Sequence, residues 1–352
     1  MDTETSTQPL IAGYDGVVCD LDGVVYRGAD AVPGAPKALQ DIVGRGVRVV
    51  YATNNASRIP SEVATQIASI GAPATAADVV SSAQAGAARL ATDLPPGAAV
   101  LALGGEGVVE ALRDAGLTPV VVGDDEGPGP DEADAVLQGF GKELRVRDFE
   151  TAARLLTTGL PWVATNDDAT LPLPWGQSPG NGAYVDLLAG ALGRRPLVVG
   201  KPHPPLYGLA LERLGTVAAR TLAVGDRIGT DIVGAEATDL DSAWVLTGVD
   251  RPSDLVVSAS SPTYVLASLA DLLRPYAAPT ADAGGWSCGA ARVVLDGNDH
   301  VVERGSADPI EVVRAGLAAL LASRKEGPPP EHLRRAAATL DRLLDDSPPS
   351  TR

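Results

Sequence analysis

The stretch at 17–26, VVCDLDGVVY, constrains this chain more than any other. An apolar run ends in Asp20-Leu21-Asp22-Gly23. The run is short and β-rich and reads as a buried strand that begins just after a polar N-terminus. In extended backbone, residues i and i+2 share a face, so both carboxylates point the same way at the strand's C-terminal end. Gly23 lets the chain turn sharply away. Such a pair suits a divalent cation, or a division of labour in which one acid attacks and the other shuttles protons. Asp-x-Asp-Gly also occurs in ordinary turns and in calcium loops. A calcium loop needs further oxygen ligands at alternating positions and a closing Glu, and Val24, Val25 and Tyr26 supply none.

The rest of the chain supplies more of the same architecture. A helix over 36–46 leads to a strand over 47–52, which ends in Thr53-Asn54-Asn55, and a helix from Pro60 to about Gly71 follows. Strand, helix, strand, helix is the signature of a parallel sheet with right-handed crossovers. After a helix over 83–92 and a Pro-Pro-Gly border at 95–97, a second alternating block begins. It has strands over 98–103, 119–122, 135–140 and 162–165 and helices over 106–115 and 147–158, with an acidic Gly/Pro loop at 123–134. The Pro- and Gly-rich stretch 170–182 reads as a loop and 184–192 as a helix. The first sheet is then expected to resume with strand 197–199, ending in Gly200-Lys201-Pro202. Strand 221–224 ends in Gly225-Asp226-Arg227, and helix 231–238 and strand 242–245 follow. The stretch 278–285 reads as a linker. A hairpin turning at Asp296-Gly297-Asn298 and helices over 309–322 and 331–345 complete the chain.

The expected fold is therefore α/β: a Rossmann-like parallel-sheet core over 1–92 and 183–277, an inserted α/β cap over 93–182, and a small C-terminal α+β extension over 286–352. A length of 352 residues accommodates two domains with an appendage. Aromatics make up only 4%, so Val, Ala and Leu must build the cores. A net charge of −17 argues against nucleic acid and against anionic membrane surfaces. An anionic substrate must then be drawn in by local groups. No apolar run approaches the ~18 residues of a membrane span, and the acidic N-terminus is no signal peptide. Cys19 and Cys288 are too few for a disulfide framework or a zinc site. The chain reads as cytoplasmic, with a homo-oligomer left open.

Four expected strand ends carry Asp20/Asp22, Thr53/Asn54, Lys201 and Asp226/Asp231. In an open parallel sheet, groups at strand C-termini converge on the crevice where ligands bind. Each type meets a need of phosphate-monoester hydrolysis. A carboxylate can attack phosphorus, and a second can protonate the leaving alkoxide and then activate water. A cation held by carboxylates offsets negative charge, and a hydroxyl, backbone N–H groups and a Lys bind non-bridging oxygens. Each piece has a dull alternative: Thr53-Asn54-Asn55 as a helix N-cap, Lys201 as a surface residue before proline, and 225–231 as a turn that caps a helix through Asp231.

Together these motifs resemble the haloacid dehalogenase superfamily, and within it the NagD-like phosphatases with a C2-type cap. The resemblance covers roughly 14–276 and rests on DLDGV at 20–24, TNN at 53–55, GKP at 200–202 and GDRIGTD at 225–231. ATNDD at 164–168 and PGNG at 179–182 also match that subgroup, except that Asp167 stands where Pro is often found. The resemblance implies Asp20 as nucleophile and Asp22 as general acid/base. It implies phosphate binding by Thr53, Asn54, Asn55 and Lys201. Magnesium would be held by Asp20, the Asp22 backbone carbonyl and Asp226, with Asp231 orienting the metal's surroundings. Asn166 and Asp168 are cap-loop candidates. His203, close to Lys201, is assigned to a cap or an exposed turn.

A cap over the core implies a small phosphorylated substrate. The extra C-terminal segment resembles that of bacterial glycerol-3-phosphate phosphatases, where it looks like an acetyltransferase fragment, and this implies glycerol 3-phosphate. The segment has no Gly-rich pyrophosphate loop, so docking or oligomer support is its expected role. Other small esters (phosphoglycolate, nucleotides, pyridoxal phosphate) are the alternative substrates. A signalling receiver would be shorter and uncapped. A further alternative is a non-catalytic scaffold that acts through its C-terminal tail; loss of one of the four motifs would favour it, and none is lost.

Overall fold

A computed structural model of the chain describes residues 7–124, 127–173, 175–282, 284–296, 299–303, 308–323 and 331–345. The chain forms two compact units, Met1–Arg48 with Ala218–Arg352, and Val49–Val217.

In the first unit, four parallel strands lie in the order Tyr264–Leu266, Asp241–Val245, Thr221–Gly225, Gly16–Cys19. Gly16–Cys19 and Thr221–Gly225 are buried along their whole length. That is why their sequences are continuous apolar runs and not alternating ones. Helix Ala35–Gly44 buries Ala35, Ala38, Leu39 and Ile42, a stripe at helical spacing. The stretch expected as helix 231–238 instead opens with one π-helical turn, Ile228–Ile232, and continues as the short helix Val233–Glu236. Strand Tyr264–Leu266 and helix Pro252–Val257 had no expectation in the sequence.

The C-terminal extension belongs to this unit. A four-stranded antiparallel sheet, Thr280–Asp282, Gly285–Cys288, Ala291–Asp296 and Asp299–Glu303, is followed by helices Pro309–Ala322 and Glu331–Asp345. The turn residues Gly297 and Asn298 lie outside the described residues. The expected linker at 278–285 is in fact a strand and part of the next. Thr280–Asp282 is an exposed edge, so its composition is that of a linker, yet Asp282 binds Gly284 N–H, Ser287 Oγ and Arg292 Nη2 at 2.9–3.1 Å. The two helices share one apolar core with the parallel sheet: Val313, Leu317, Leu320, Leu333 and Leu340 cluster with Trp244, Leu255 and Val265. Each such side chain contributes roughly 1.5–3 kcal/mol on burial, so the extension is an integral part of this unit.

The second unit has a parallel pair, Arg48–Thr53 with Val79–Ser81, and a separate five-stranded parallel sheet. That sheet runs Leu197–Val198, Trp162–Ala164, Ala135–Gln138, Ala99–Leu103, Thr118–Val120. Strand 197–198 thus pairs with Trp162–Ala164 and does not resume the first sheet. It is a two-residue edge strand with Leu197 exposed, and so short a segment carries no pattern that selects its partner. The stretch 170–182, expected as a loop, holds an antiparallel hairpin, Thr170–Leu173 with Gly176–Pro179, and helix Asn181–Leu192 starts directly after it. The hairpin is mostly exposed and has no hydrophobic alternation by which to recognise it.

Candidate active site

In the first unit, Asp20 follows strand Gly16–Cys19 and Asp226 follows the adjacent strand Thr221–Gly225. Asp231 sits in the π turn that leaves the second of these. Carboxylate oxygens of Asp20, Asp226 and Asp231 lie within 4.8 Å of one another. Asp22 stands beyond Asp20 at the exposed end.

Asp226 is fully buried. One of its oxygens, Oδ2, accepts from Val249 N–H at 2.9 Å, and its backbone carbonyl accepts from Trp244 Nε1–H at 2.9 Å. The other oxygen, Oδ1, is buried with no hydrogen-bond partner among the described residues. Burial pushes the Asp226 carboxyl up to about 8, and the neighbouring Asp20 and Asp231 carboxylates add to the rise. Three acids gathered with one buried oxygen left over could hold a hard divalent cation, whose charge would relieve the repulsion. Asp231 Oδ2 accepts from Arg227 N–H at 3.1 Å, which fixes its carboxylate across the turn.

Glycines make this crowding possible. Gly23 has φ +87°, and a Cβ there would lie 2.6 Å from Asp226 Oδ2. A Cβ on Gly248 would lie 1.8 Å from the same oxygen, and one on Gly225 2.2 Å from Asp231 Cγ. Gly248, Val249 and Trp244 were missed in the sequence. The available signal was the Thr247-Gly248 step just beyond a strand.

In the second unit, Asn54, Lys201, Asn166 and Asp168 come together. Asn54 Oδ1 accepts from Lys201 N–H at 2.8 Å, and Asn54 Nδ2 donates to Lys201 O at 2.9 Å and to Asp168 Oδ2 at 3.1 Å. The Asn54 carbonyl accepts from Asn166 Nδ2 at 2.7 Å and Ser82 Oγ at 2.8 Å. Asn181 Nδ2 in turn donates to Asn166 O at 2.7 Å. Ser82 and Asn181 were not singled out as site residues, although Asn181 lies in the noted PGNG stretch. A Cβ on Gly182 would lie 2.1 Å from Asp167 O, so the loop and the helix start touch backbone to backbone. Lys201 is only 4% exposed, so it is no surface lysine.

Thr53 Oγ1 accepts from Asn55 N–H at 3.1 Å, and Asn55 Oδ1 accepts from Ser57 N–H at 3.0 Å. The next helix starts at Pro60 with Ile59 at its N-cap position, so Thr53-Asn54-Asn55 caps no helix. His203 holds the N-cap position of helix Pro204–Leu214 but makes no side-chain cap bond. Its Nε2 lies 3.7 Å from Asp167 Oδ2.

Comparison with known proteins identifies the family. Residues 17–118 match the haloacid dehalogenase-like hydrolase family and residues 198–272 the related HAD-hydrolase-like family. The D-glycerol 3-phosphate phosphatase of Mycobacterium tuberculosis is 38% identical over 321 residues, 88% of this chain and 87% of that protein. A crystal structure of a glycerol phosphate phosphatase from the same organism, in complex with magnesium, superposes with a TM-score of 0.80 at 35% identity, over 96% of this chain and 99% of that one. A 5'-nucleotidase of Bacillus subtilis is 31% identical over 75% of this chain and 98% of its own length. This chain belongs to the haloacid dehalogenase-like hydrolases.

Proposed function

We propose that this chain is a magnesium-dependent phosphatase that hydrolyses glycerol 3-phosphate to glycerol and phosphate through an aspartyl-phosphate. The observation that carries the reading is the Asp20–Asp226–Asp231 cluster, with Asp22 two residues beyond its first acid. The Asp20 carboxylate attacks phosphorus, forming one O–P bond while the ester O–P bond breaks. Asp22 gives a proton to the departing alkoxide, then takes one from the water that attacks the aspartyl-phosphate and frees Asp20. Thr53, Asn54, Asn55 and Lys201 bind the non-bridging oxygens. Asn166 and Asp168 support that cradle through Asn54. Asp20, the Asp22 carbonyl and Asp226 would hold magnesium, with Asp231 orienting its surroundings, and the ion would supply positive charge against nucleophile and phosphate. The orphaned Asp226 Oδ1 supports that assignment.

The substrate assignment draws on the mycobacterial glycerol phosphate phosphatase, matched over nearly the whole of both chains. The nucleotidase relative favours a nucleotide as the second reading. In the same reading the division is into core (1–92, 183–277), inserted cap (93–182) and extension (286–352). Its support is the separate five-stranded sheet, which carries the cap a little past 182. Among the described residues no helix is long and apolar enough to cross a membrane. A cytoplasmic location is proposed alongside, supported by the two buried cysteines, which form no disulfide among the described residues.

Phosphate release from a panel of small phosphate esters, with and without magnesium, tests the reading in wild type and Asp20→Asn. Magnesium-dependent release that favours glycerol 3-phosphate and is lost in Asp20→Asn is expected. A preference for a nucleotide would overturn the substrate and keep the mechanism. No release from any ester by folded protein would overturn both.

A further inference from the structure

The loop that carries Asp226 and Asp231 is gripped from outside the parallel sheet. Ile228 and Ile232 flank Asp231 in the π turn and are both buried. They lie in one apolar cluster with Trp244 and, from the C-terminal helices, Leu317, Leu333 and Leu340. Trp244 is also the residue whose indole N–H binds the Asp226 carbonyl.

A polar route runs in parallel. Val249 N–H holds Asp226 Oδ2, and Asp250 Oδ2 accepts from Ile228 N–H at 2.6 Å. This 249–250 segment leads into helix Pro252–Val257. There Ser253 N–H donates to Asp341 Oδ1 of the last helix at 3.1 Å, and Arg251 Nη2 lies 3.2 Å from Asp345 Oδ1. Both loops that position Asp226 are therefore backed by the extension. The physical need is evident: three clustered carboxylates repel one another, so the loops that carry them must be held in place by contacts elsewhere.

We infer that the C-terminal extension is a positioning element for the metal-binding carboxylates, holding the 226–232 and 248–254 loops where Asp20, Asp226 and Asp231 converge. The inference rests on the magnesium reading of that cluster.

The test is magnesium binding by calorimetry to the full chain, as wild type, Asp341→Ala, Leu340→Ala and Val293→Ala, with circular dichroism as the check on folding. Val293 is buried in a different cluster of the extension, with Cys288, Ala315 and Ala319. Magnesium affinity should fall about tenfold in Asp341→Ala and Leu340→Ala, the scale seen when the supports of metal ligands are removed. Val293→Ala should bind as wild type does. Wild-type affinity in folded Asp341→Ala and Leu340→Ala would overturn the inference, as would an equal loss in Val293→Ala. If Leu340→Ala does not fold, Asp341→Ala decides alone. Absence of magnesium binding by wild type would instead overturn the metal reading, and the inference with it.

Discussion

Asn54 clasps the backbone of Lys201 at both ends: its side-chain oxygen accepts from Lys201 N–H at 2.8 Å and its amide donates to Lys201 O at 2.9 Å. The asparagine therefore fixes the backbone of a buried lysine. Asn54→Ala removes both bonds, each worth roughly 1 kcal/mol. Steady-state kinetics should show kcat/KM for the phosphate ester down by about ten- to a hundredfold.

Asp168 acts on the same asparagine through a 3.1 Å bond from Asn54 Nδ2. Asp168→Asn retains an acceptor, whereas Asp168→Ala does not. The alanine variant should lose about three- to tenfold in kcat/KM and the asparagine variant clearly less. Equal losses in the two would mean that the charge of Asp168 matters directly.

Gly248 leaves no room for a side chain beside Asp226, since a Cβ would sit 1.8 Å from its Oδ2. Gly248→Ala must displace the buried carboxylate or the loop. We expect a destabilisation of about 1–3 kcal/mol in chemical denaturation, together with weakened magnesium binding. Gly13, where a Cβ would meet nothing within 4 Å, is the control position.

The pH dependence follows from Asp226, raised by burial to about 8. Between the ordinary carboxylate range and that value, the folded metal-free chain holds a proton that the unfolded chain has released. The stability of the metal-free protein should thus fall as pH rises through this window. Magnesium competes with that proton, so its affinity should rise with pH and level off above about 8. Calorimetry in buffers of different ionisation enthalpy should detect the released proton at pH 7, and a pH-independent magnesium affinity would contradict the assignment.

Trp244 donates from a fully buried indole to the Asp226 carbonyl. Trp244→Phe leaves that carbonyl without this donor and leaves part of the indole volume empty. A loss of about 1–3 kcal/mol is expected in thermal or denaturant unfolding.

Much of this was legible before the structure. The strand ending at Cys19, the two acids after it and the helices at 309–322 and 331–345 have strong local signatures: apolar runs, paired charges and helical spacing. The exposed hairpin at 170–179 and the edge strand Thr280–Asp282 do not, because neither buries a face that would impose alternation. Strand Leu197–Val198 lies in a different sheet from the expected one for a related reason. Two residues pair by backbone, and backbone hydrogen bonds leave no residue code.

The sequence alone determined the chemistry within reach: which residue types stand at strand ends, and hence the family and its candidate acids. Side-chain type and local periodicity are properties of neighbours along the chain. The tertiary structure decided which acids meet and what holds them. Asp226 gains its raised pKa from burial and from Asp20, more than two hundred positions away in the chain. Its loops are backed by residues as distant as Leu340 and Asp341. Burial and electrostatic repulsion depend on distance through space, and only the folded chain sets that distance.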